Sequence, residues 1–305
     1  MGTRAHVVVH GRDLAHAEVL RRSAVARLHA LEAKWSRFRA DSEVSRINEY
    51  AGAPVDVSRE TVLLVERSVE AWQRTQGRFD PTVLPALLAA GYDRDFRRLA
   101  EAGDDLGVRA PAGPAPGCDG IQIRRHTVAV PAGVAIDPGG IGKGLAADLV
   151  VDLLMTAGAR GVCINVGGDL RVAGRPEDAD AWTIRLEEPF AAGRAIGKVR
   201  LTDEALVSSW RTRRTWTRAG RAAHHLIDPR TGEPAWSGVA GVSVIATDAW
   251  WAEAFATSLF LLGPDDAPGA VTHAGAEALV IRDDGARRGF GRFAALVFDQ
   301  LERPA

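Results

Sequence analysis

Strand-like and helix-like runs follow one another irregularly in this chain, and that order restricts the fold more than any other feature. Ala5 to His10 is a short β-branched run; after a polar break, Val19, Leu20, Val25, Leu28, Leu31 and Trp35 recur at helical spacing. A strand followed by a helix is expected. A second amphipathic helix is expected over 59–75, with Val62, Leu63, Val65, Val69 and Trp72 as its apolar stripe and Gly77 as its stop. Residues 38–48 between the two helices read as a polar loop. Residues 121–123 and 127–130 read as a short hairpin, 145–157 as a helix and 162–166 as a strand. Short strands are expected at 182–186, 198–201, 205–209, 223–227 and 239–246, then a helix over 248–262, a smaller helix and a strand at 278–281. Without repeated βαβ units, such a mixture gives an α+β fold rather than a doubly wound parallel sheet. No internal repeat at solenoid periods is visible. Residues 101–120, rich in Gly, Pro and Ala, are the expected flexible insertion.

Composition narrows the functional classes. With 46% hydrophobic residues in 305, the chain can bury a substantial core, which excludes disorder as its main character. Lysine plus arginine number 38 and aspartate plus glutamate 39, so no global field gathers nucleic acid or an anionic membrane, and any anion needs a local site. Only Lys34, Lys143 and Lys198 are lysines, which makes Lys143 conspicuous. The two cysteines lack metal spacing and are too few for a disulfide framework; Cys163 reads as core. No stretch approaches the ~18 apolar residues of a membrane span. The first residues lack signal-peptide character, so a cytoplasmic location is expected, or export if a leader was trimmed.

Five stretches could carry chemistry. Gly139-Gly140-Ile141-Gly142-Lys143-Gly144 opens a helix, where backbone amides, the helix dipole and Lys143 can face an anion. It has neither Rossmann nor P-loop spacing, and tight packing is the alternative use of its glycines. Asn165-Val166-Gly167-Gly168-Asp169 allows a ligand close to the backbone, or is a plain hairpin turn with a side-chain hydrogen bond. In His224-His225-Leu226-Ile227-Asp228-Pro229-Arg230-Thr231-Gly232 the two histidines face opposite ways if extended, so one can enter a site. A structural histidine is the alternative. Glu253 and Thr257 share one helix face and would suit Mg²⁺, or are an exposed carboxylate beside a core threonine. Trp210 to Arg218 alternates aromatic and basic residues; the neutral net charge favours a solvated hairpin strand turning at Ala219-Gly220 over a nucleic-acid platform.

Taken in order, these stretches resemble the FAD:protein FMN transferase (ApbE) family. The resemblance begins at Met1-Gly2-Thr3 and continues through 38–48, with its aromatic-x-x-D-S-E-x-S-x-x-N wording. It takes in Gly77-Arg78-Phe79-Asp80-Pro81-Thr82-Val83, Asp137 to Gly144, Asn165 to Asp169, His225 to Gly232 and Glu253-Ala254-Phe255-Ala256-Thr257. It implies one compact T-fold-like α+β domain over 1–305, with mixed, largely antiparallel sheets packed with helices. The implied reaction is a Mg²⁺-dependent transfer of FMN from FAD to a Ser or Thr of an acceptor flavoprotein, releasing AMP. FAD is the substrate, with no nucleic-acid partner. The resemblance further implies that Met1 and Phe38 flank the flavin, and that Ala90, Gly91 and Tyr92 touch FAD. Asp137 and Lys143 would hold its ribose or pyrophosphate side, with Leu226 nearby. Metal would take the Gly140 carbonyl and the side chains of Glu253 and Thr257; His225 would be the base or transition-state stabiliser. The chain departs from the family pattern in having Glu253 for the usual Asp, Ser209-Trp210 for the usual Ser-Gly, and no lipoprotein leader. An FAD pyrophosphatase and a non-catalytic flavin-binding protein are the alternatives.

Overall fold

Val239 to Ala246 is an unbroken small and β-branched run, and it becomes a strand buried along nearly its whole length, as strands covered on both faces are. The computed structural model describes residues 3–101, 110, 112–191, 193–218 and 220–296. In chain order these form β1 (Ala5–His10), α1 (Leu14–Trp35), α2 (Glu43–Glu49), β2 (Val55–Asp56), α3 (Arg59–Arg74), α4 (Leu84–Ala89) and α5 (Phe96–Glu101). Next come β3 (Gln122–Ile123), β4 (Thr127–Ala129), α6 (Gly142–Thr156), β5 (Gly161–Val166), β6 (Asp169–Gly174), β7 (Trp182–Glu187), β8 (Ala195–Leu201) and β9 (Ala205–Trp210). The rest are β10 (Thr215–Arg218), β11 (Arg221–His224), β12 (Ile227–Asp228), β13 (Glu233–Pro234), β14 (Val239–Ala246), α7 (Ala249–Ala274), β15 (Glu277–Arg282) and β16 (Arg287–Gly289). The fold is α+β, and among the described residues every strand pair is antiparallel.

The chain divides into two compact units, each built from three separate stretches. One comprises residues 1–2, 29–142 and 214–236; the other, 3–28, 143–213 and 237–305. Helix α1 contributes residues 14–28 to the second and 29–35 to the first.

The second unit is organised by a seven-stranded sheet in the order β1-β5-β6-β9-β14-β15-β16. Helix α7 packs on β14, β9 and β15, and side-chain alternation divides each strand between two faces. One face, carrying Leu206, Ile245, Leu279 and Ile281, is closed by Trp182, Leu186, Val199 and Leu201 of the β7–β8 hairpin. The helix expected over 248–262 continues to Ala274, but Gly263 (φ 82°) breaks it, so the sequence's separate smaller helix is real.

Helix α7 begins without help from its own N-cap, Asp248. Its Ala249 and Trp250 amides instead donate to Asp148 of α6, each at 2.9 Å. Arg171 lies 3.3 Å from the same carboxyl. Burial pushes Asp148 up to about 7, against the opposing pull of the two amides and Arg171. A carboxyl with a folded pKa above its unfolded value binds its proton preferentially in the folded state. Its stabilising contribution is therefore full below about pH 4 and is lost as pH rises through 7. Comparing unfolding free energies of the parent and Asp148→Asn from pH 4 to 8 isolates this group. The parent should lose stability relative to the variant over that interval, by up to about 4 kcal/mol; a pH-independent difference would exclude the titration.

The first unit holds the small sheet β2-β4-β3 and two hairpins, β10–β11 and β12–β13. Residues 38–48, expected as a loop, contain helix α2. Ser42 is its N-cap, accepting from the Ser45 amide at 3.0 Å, while Val44 and Ile47, three apart, enter the core. The helix expected over 59–75 is α3, but its buried face is Thr61, Val62, Leu64, Val65, Ser68 and Ala71, leaving Leu63, Val69 and Trp72 half-buried. Ser68 belongs inside because its hydroxyl donates to the Leu64 carbonyl at 2.8 Å. The helix ends in a Schellman motif whose left-handed residue is Gln76 (φ 53°), with Gly77 one step beyond.

Of the expected insertion at 101–120, residues 102–109 and 111 lie outside the described residues. Further along, Ala115 donates to the Pro229 carbonyl and Gly117 to Thr82 Oγ1. Trp210 and Trp216, expected on a solvated strand, are both 8% exposed. No helix among the described residues is long and apolar enough to cross a membrane.

Candidate active site

The first turn of α6 and the second turn of α7 carry oppositely charged side chains into one buried group. Lys143 Nζ contacts Glu253 Oε1 and lies 2.8 Å from Asp169 Oδ2. The other Glu253 oxygen accepts from the Gly144 amide at 2.8 Å. Glu253 is 2% exposed and Asp169 3%. Burial drives the Glu253 carboxyl upward; Asp169 adds to that while Lys143 opposes it. When Glu253 is ionised, two carboxylates around one ammonium carry an excess of one negative charge.

The local sequence explains how these side chains meet. Gly144 is where α6 approaches α7: a Cβ there would lie 2.3 Å from the Ala249 carbonyl oxygen. Asp169 arrives through the β5–β6 hairpin, in which Val166 pairs with Asp169 across Gly167 and Gly168. Both glycines have positive φ, as a two-residue primed turn requires, and Asn165 Oδ1 accepts from the Gly168 amide at 2.9 Å. The glycine pair and Asn165 are therefore turn chemistry, whereas Asp169, noted in the sequence only as a flanking residue, joins the charged group.

Thr257, one turn after Glu253, donates to the Glu253 carbonyl at 3.2 Å and has Ser209 Oγ at 3.3 Å. Ser209 thus faces α7. Trp210, next along β9, faces the opposite side of the sheet, its ring against Gly241 and under the Arg213 guanidinium at 4.7 Å. The tryptophan in place of the family's glycine is accommodated by the missing side chain of Gly241 across the strand pair.

In the first unit, Phe38, Tyr92 and Asp137 are drawn together by a residue the sequence reading did not single out, Arg37. Its guanidinium lies 4.1 Å from the Phe38 ring centroid and 4.7 Å from that of Tyr92. It donates to the Tyr92 carbonyl at 2.8 Å, and its Nε is 3.4 Å from Asp137 Oδ1. Ala90-Gly91-Tyr92 is the Schellman end of α4. Gly91 (φ 96°) bonds to Leu88 and Tyr92 to Leu87, which aims the Tyr92 ring at Phe38 (5.9 Å) and Trp216 (5.5 Å). The Ala90 carbonyl accepts from Trp216 Nε1 at 2.9 Å. Asp137 also accepts from the Gly139 amide at 3.2 Å in the short 3₁₀ turn Pro138–Gly140, which holds Gly140.

The His-His step falls where the strand expected over 223–227 divides into β11 and β12. His224 is fully buried, its Nδ1 accepting from the Leu226 amide and its ring edge-on to Trp236 at 5.0 Å. His225 is half-buried and Leu226 is buried. Asp228 is held by Arg230, which makes it turn structure. Met1 lies outside the described residues. Burial pushes both thiols up, Cys163 to about 11, so neither is a thiolate nucleophile near neutrality.

A lysine locked between carboxylates at the meeting point of two helices, on an antiparallel sheet, is a charged group of the kind that active sites gather. Likeness to known proteins says which kind: the chain belongs to the ApbE family, whose model matches residues 1–280. It is 27% identical to the FAD:protein FMN transferase of Vibrio cholerae over 87% of this chain and 80% of that one. With the Treponema pallidum FAD:protein FMN transferase it shares 31% over 86% of this chain and 77% of that one. The crystal structure of the ApbE protein from Thermotoga maritima superposes with a TM-score of 0.84 at 26% identity, covering 99% of this chain and 97% of the other.

Proposed function

We propose that this chain transfers FMN from FAD to a serine or threonine hydroxyl of an acceptor flavoprotein, with Mg²⁺, releasing AMP. Flavin transfer is supported by the family and by the relatives named above. The observation that carries the finer reading is the buried group itself. Lys143 and Glu253, 110 residues apart, meet with Thr257 one turn away, and all three are positions the family resemblance marks.

The group's residues fit a hard divalent cation. Glu253, Asp169 and Thr257 offer oxygen donors, and Asp169 Oδ2 is buried 2.8 Å from Lys143 Nζ. Mg²⁺ takes few protein ligands and completes its octahedron with phosphate and water, so one carboxylate and one hydroxyl are a sufficient donor set. Glu253 and Thr257 would hold it; when bound, it supplies neutralisation of the pyrophosphate. The chain's own residues do the rest. Lys143 compensates the phosphate charge, Phe38 and Tyr92 offer the flavin an aromatic face, Asp137 takes a ribose hydroxyl, and His225 serves the acceptor hydroxyl as base. Because each compact unit is assembled from three stretches, we further propose that residues 1–305 work as one domain; a single urea transition is its sign.

The test is incubation with FAD, Mg²⁺ and a Ser/Thr-bearing acceptor domain, assaying flavin fluorescence on the denatured acceptor against free FMN. Covalent flavin supports transfer, free FMN and AMP alone would make the enzyme a pyrophosphatase, and no turnover would leave a flavin-binding protein. Phe38, 36% exposed, presents the ring face that Arg37 leaves open. Phe38→Ala should weaken FAD binding about tenfold in a fluorescence-quenching titration. Unchanged affinity would remove this residue from the site.

A further inference from the structure

We infer that Arg37 is a positioning residue of the FAD-binding face, acting through Asp137, Phe38 and Tyr92; this deepens the reading of that face as the FAD site and rests on it. Four separate contacts converge on one guanidinium whose side chain is 6% exposed: two rings, the Tyr92 carbonyl and the Asp137 carboxylate. A buried cation is kept where it is paired, and a planar fork suits a carboxylate, a carbonyl and ring faces at once in a way an ammonium does not. Arg37 therefore fixes the spacing between the aromatic pair and the carboxylate.

The electrostatics give this clamp a function beyond packing. Asp137 is 11% exposed at its side chain and has Arg37 as its ion-pair partner. FAD carries two phosphate charges, and an uncompensated carboxylate beside it would repel them. With Arg37 in place, the pair is neutral and Asp137 acts as a hydrogen-bond acceptor rather than a charge. Arg37 and the Gly139 amide both address Oδ1, which fixes the carboxylate's orientation.

The measurement is FAD affinity of the full chain by flavin fluorescence quenching, without Mg²⁺ or acceptor, for the parent, Arg37→Met, Arg37→Lys, Asp137→Asn and the Arg37→Met/Asp137→Asn pair. Arg37→Met should raise Kd about tenfold, and Arg37→Lys, which keeps the charge but not the fork, should recover part of that. Once Asp137 is neutral, removing Arg37 should cost less than it does in the parent, so the double variant falls short of the product of the two single effects. In turnover, KM for FAD should rise while kcat changes less than about threefold. Should Arg37→Met fail to fold by circular dichroism, Arg37→Lys carries the test with a Kd two- to fivefold above the parent. A parent that binds no FAD overturns the site reading and this role together. A parent that binds FAD while folded Arg37→Met or Arg37→Lys binds equally well, or with strictly multiplicative effects in the pair, overturns the role of Arg37 alone.

Discussion

Glu253→Gln should lower Mg²⁺-dependent flavin transfer at least a hundredfold, about 3 kcal/mol of transition-state stabilisation. The substitution keeps the side-chain length but changes what each end can do. One Glu253 oxygen accepts from the Gly144 amide and the other meets the Lys143 ammonium. A glutamine can satisfy the amide only by turning its own NH₂ toward Lys143, donor against donor, and it removes the charge a divalent cation needs. Flavin affinity should be nearly unchanged, since Phe38, Tyr92 and Asp137 are untouched. Glu253→Asp separates charge from reach: it retains the carboxylate but draws it back by about 1.5 Å. Transfer should persist while stability falls about 1 kcal/mol through loss of the Gly144 bond. The readouts are initial rate against Mg²⁺ concentration and urea midpoint. Full turnover of Glu253→Gln at limiting Mg²⁺ would reduce the cluster to a structural ion pair.

How much of this was legible beforehand depends on the kind of signal each residue leaves. Strand β14 and helices α3, α6 and α7 announce themselves by periodicity or by uninterrupted apolar runs, because burial of many side chains leaves a regular trace. Helix α2 does not: seven residues with two buried side chains are too few for a period, and only the Ser42 cap marks its start. The two tryptophans of the basic segment were misassigned to solvent for a related reason. Alternation along a strand says that Trp210 and Ser209 face apart, but which face is covered depends on Gly241 and the β7–β8 hairpin, far away in sequence.

The site divides in the same way. Lys143, Glu253 and Thr257 stand in recognisable wording, but the wording does not say that Lys143 and Glu253 touch. Asp169 was visible only as the end of a glycine turn, and the turn accounts for the glycines without accounting for the carboxylate. Arg37 left no signal at all, being one arginine among many and adjacent to the more conspicuous Phe38. Asp148 was equally silent: a polar residue within an apolar helix gives no indication that it caps a different helix a hundred residues later.

Gly144→Ala should destabilise the protein by about 3 kcal/mol, although alanine is the better helix former by about 1 kcal/mol. The deciding term is the contact with α7. An added Cβ would stand 2.3 Å from the Ala249 carbonyl oxygen, 2.5 Å from its carbon and 2.8 Å from the Trp250 nitrogen, all of them backbone atoms that cannot rotate aside. The two helix starts must separate, and their separation pulls at the Asp148 bonds to the Ala249 and Trp250 amides and at the Gly144 bond to Glu253. Transfer should fall with stability, because Lys143 and Glu253 are carried by those same two helices. Gly269→Ala is the matched control: it lies later in α7, with nothing within 4 Å of a new Cβ, and should be neutral or stabilising. Urea denaturation of both variants makes the comparison. Equal midpoints would mean that Gly144 is not there to let α6 and α7 approach, and that its place in the glycine run answers to a ligand instead.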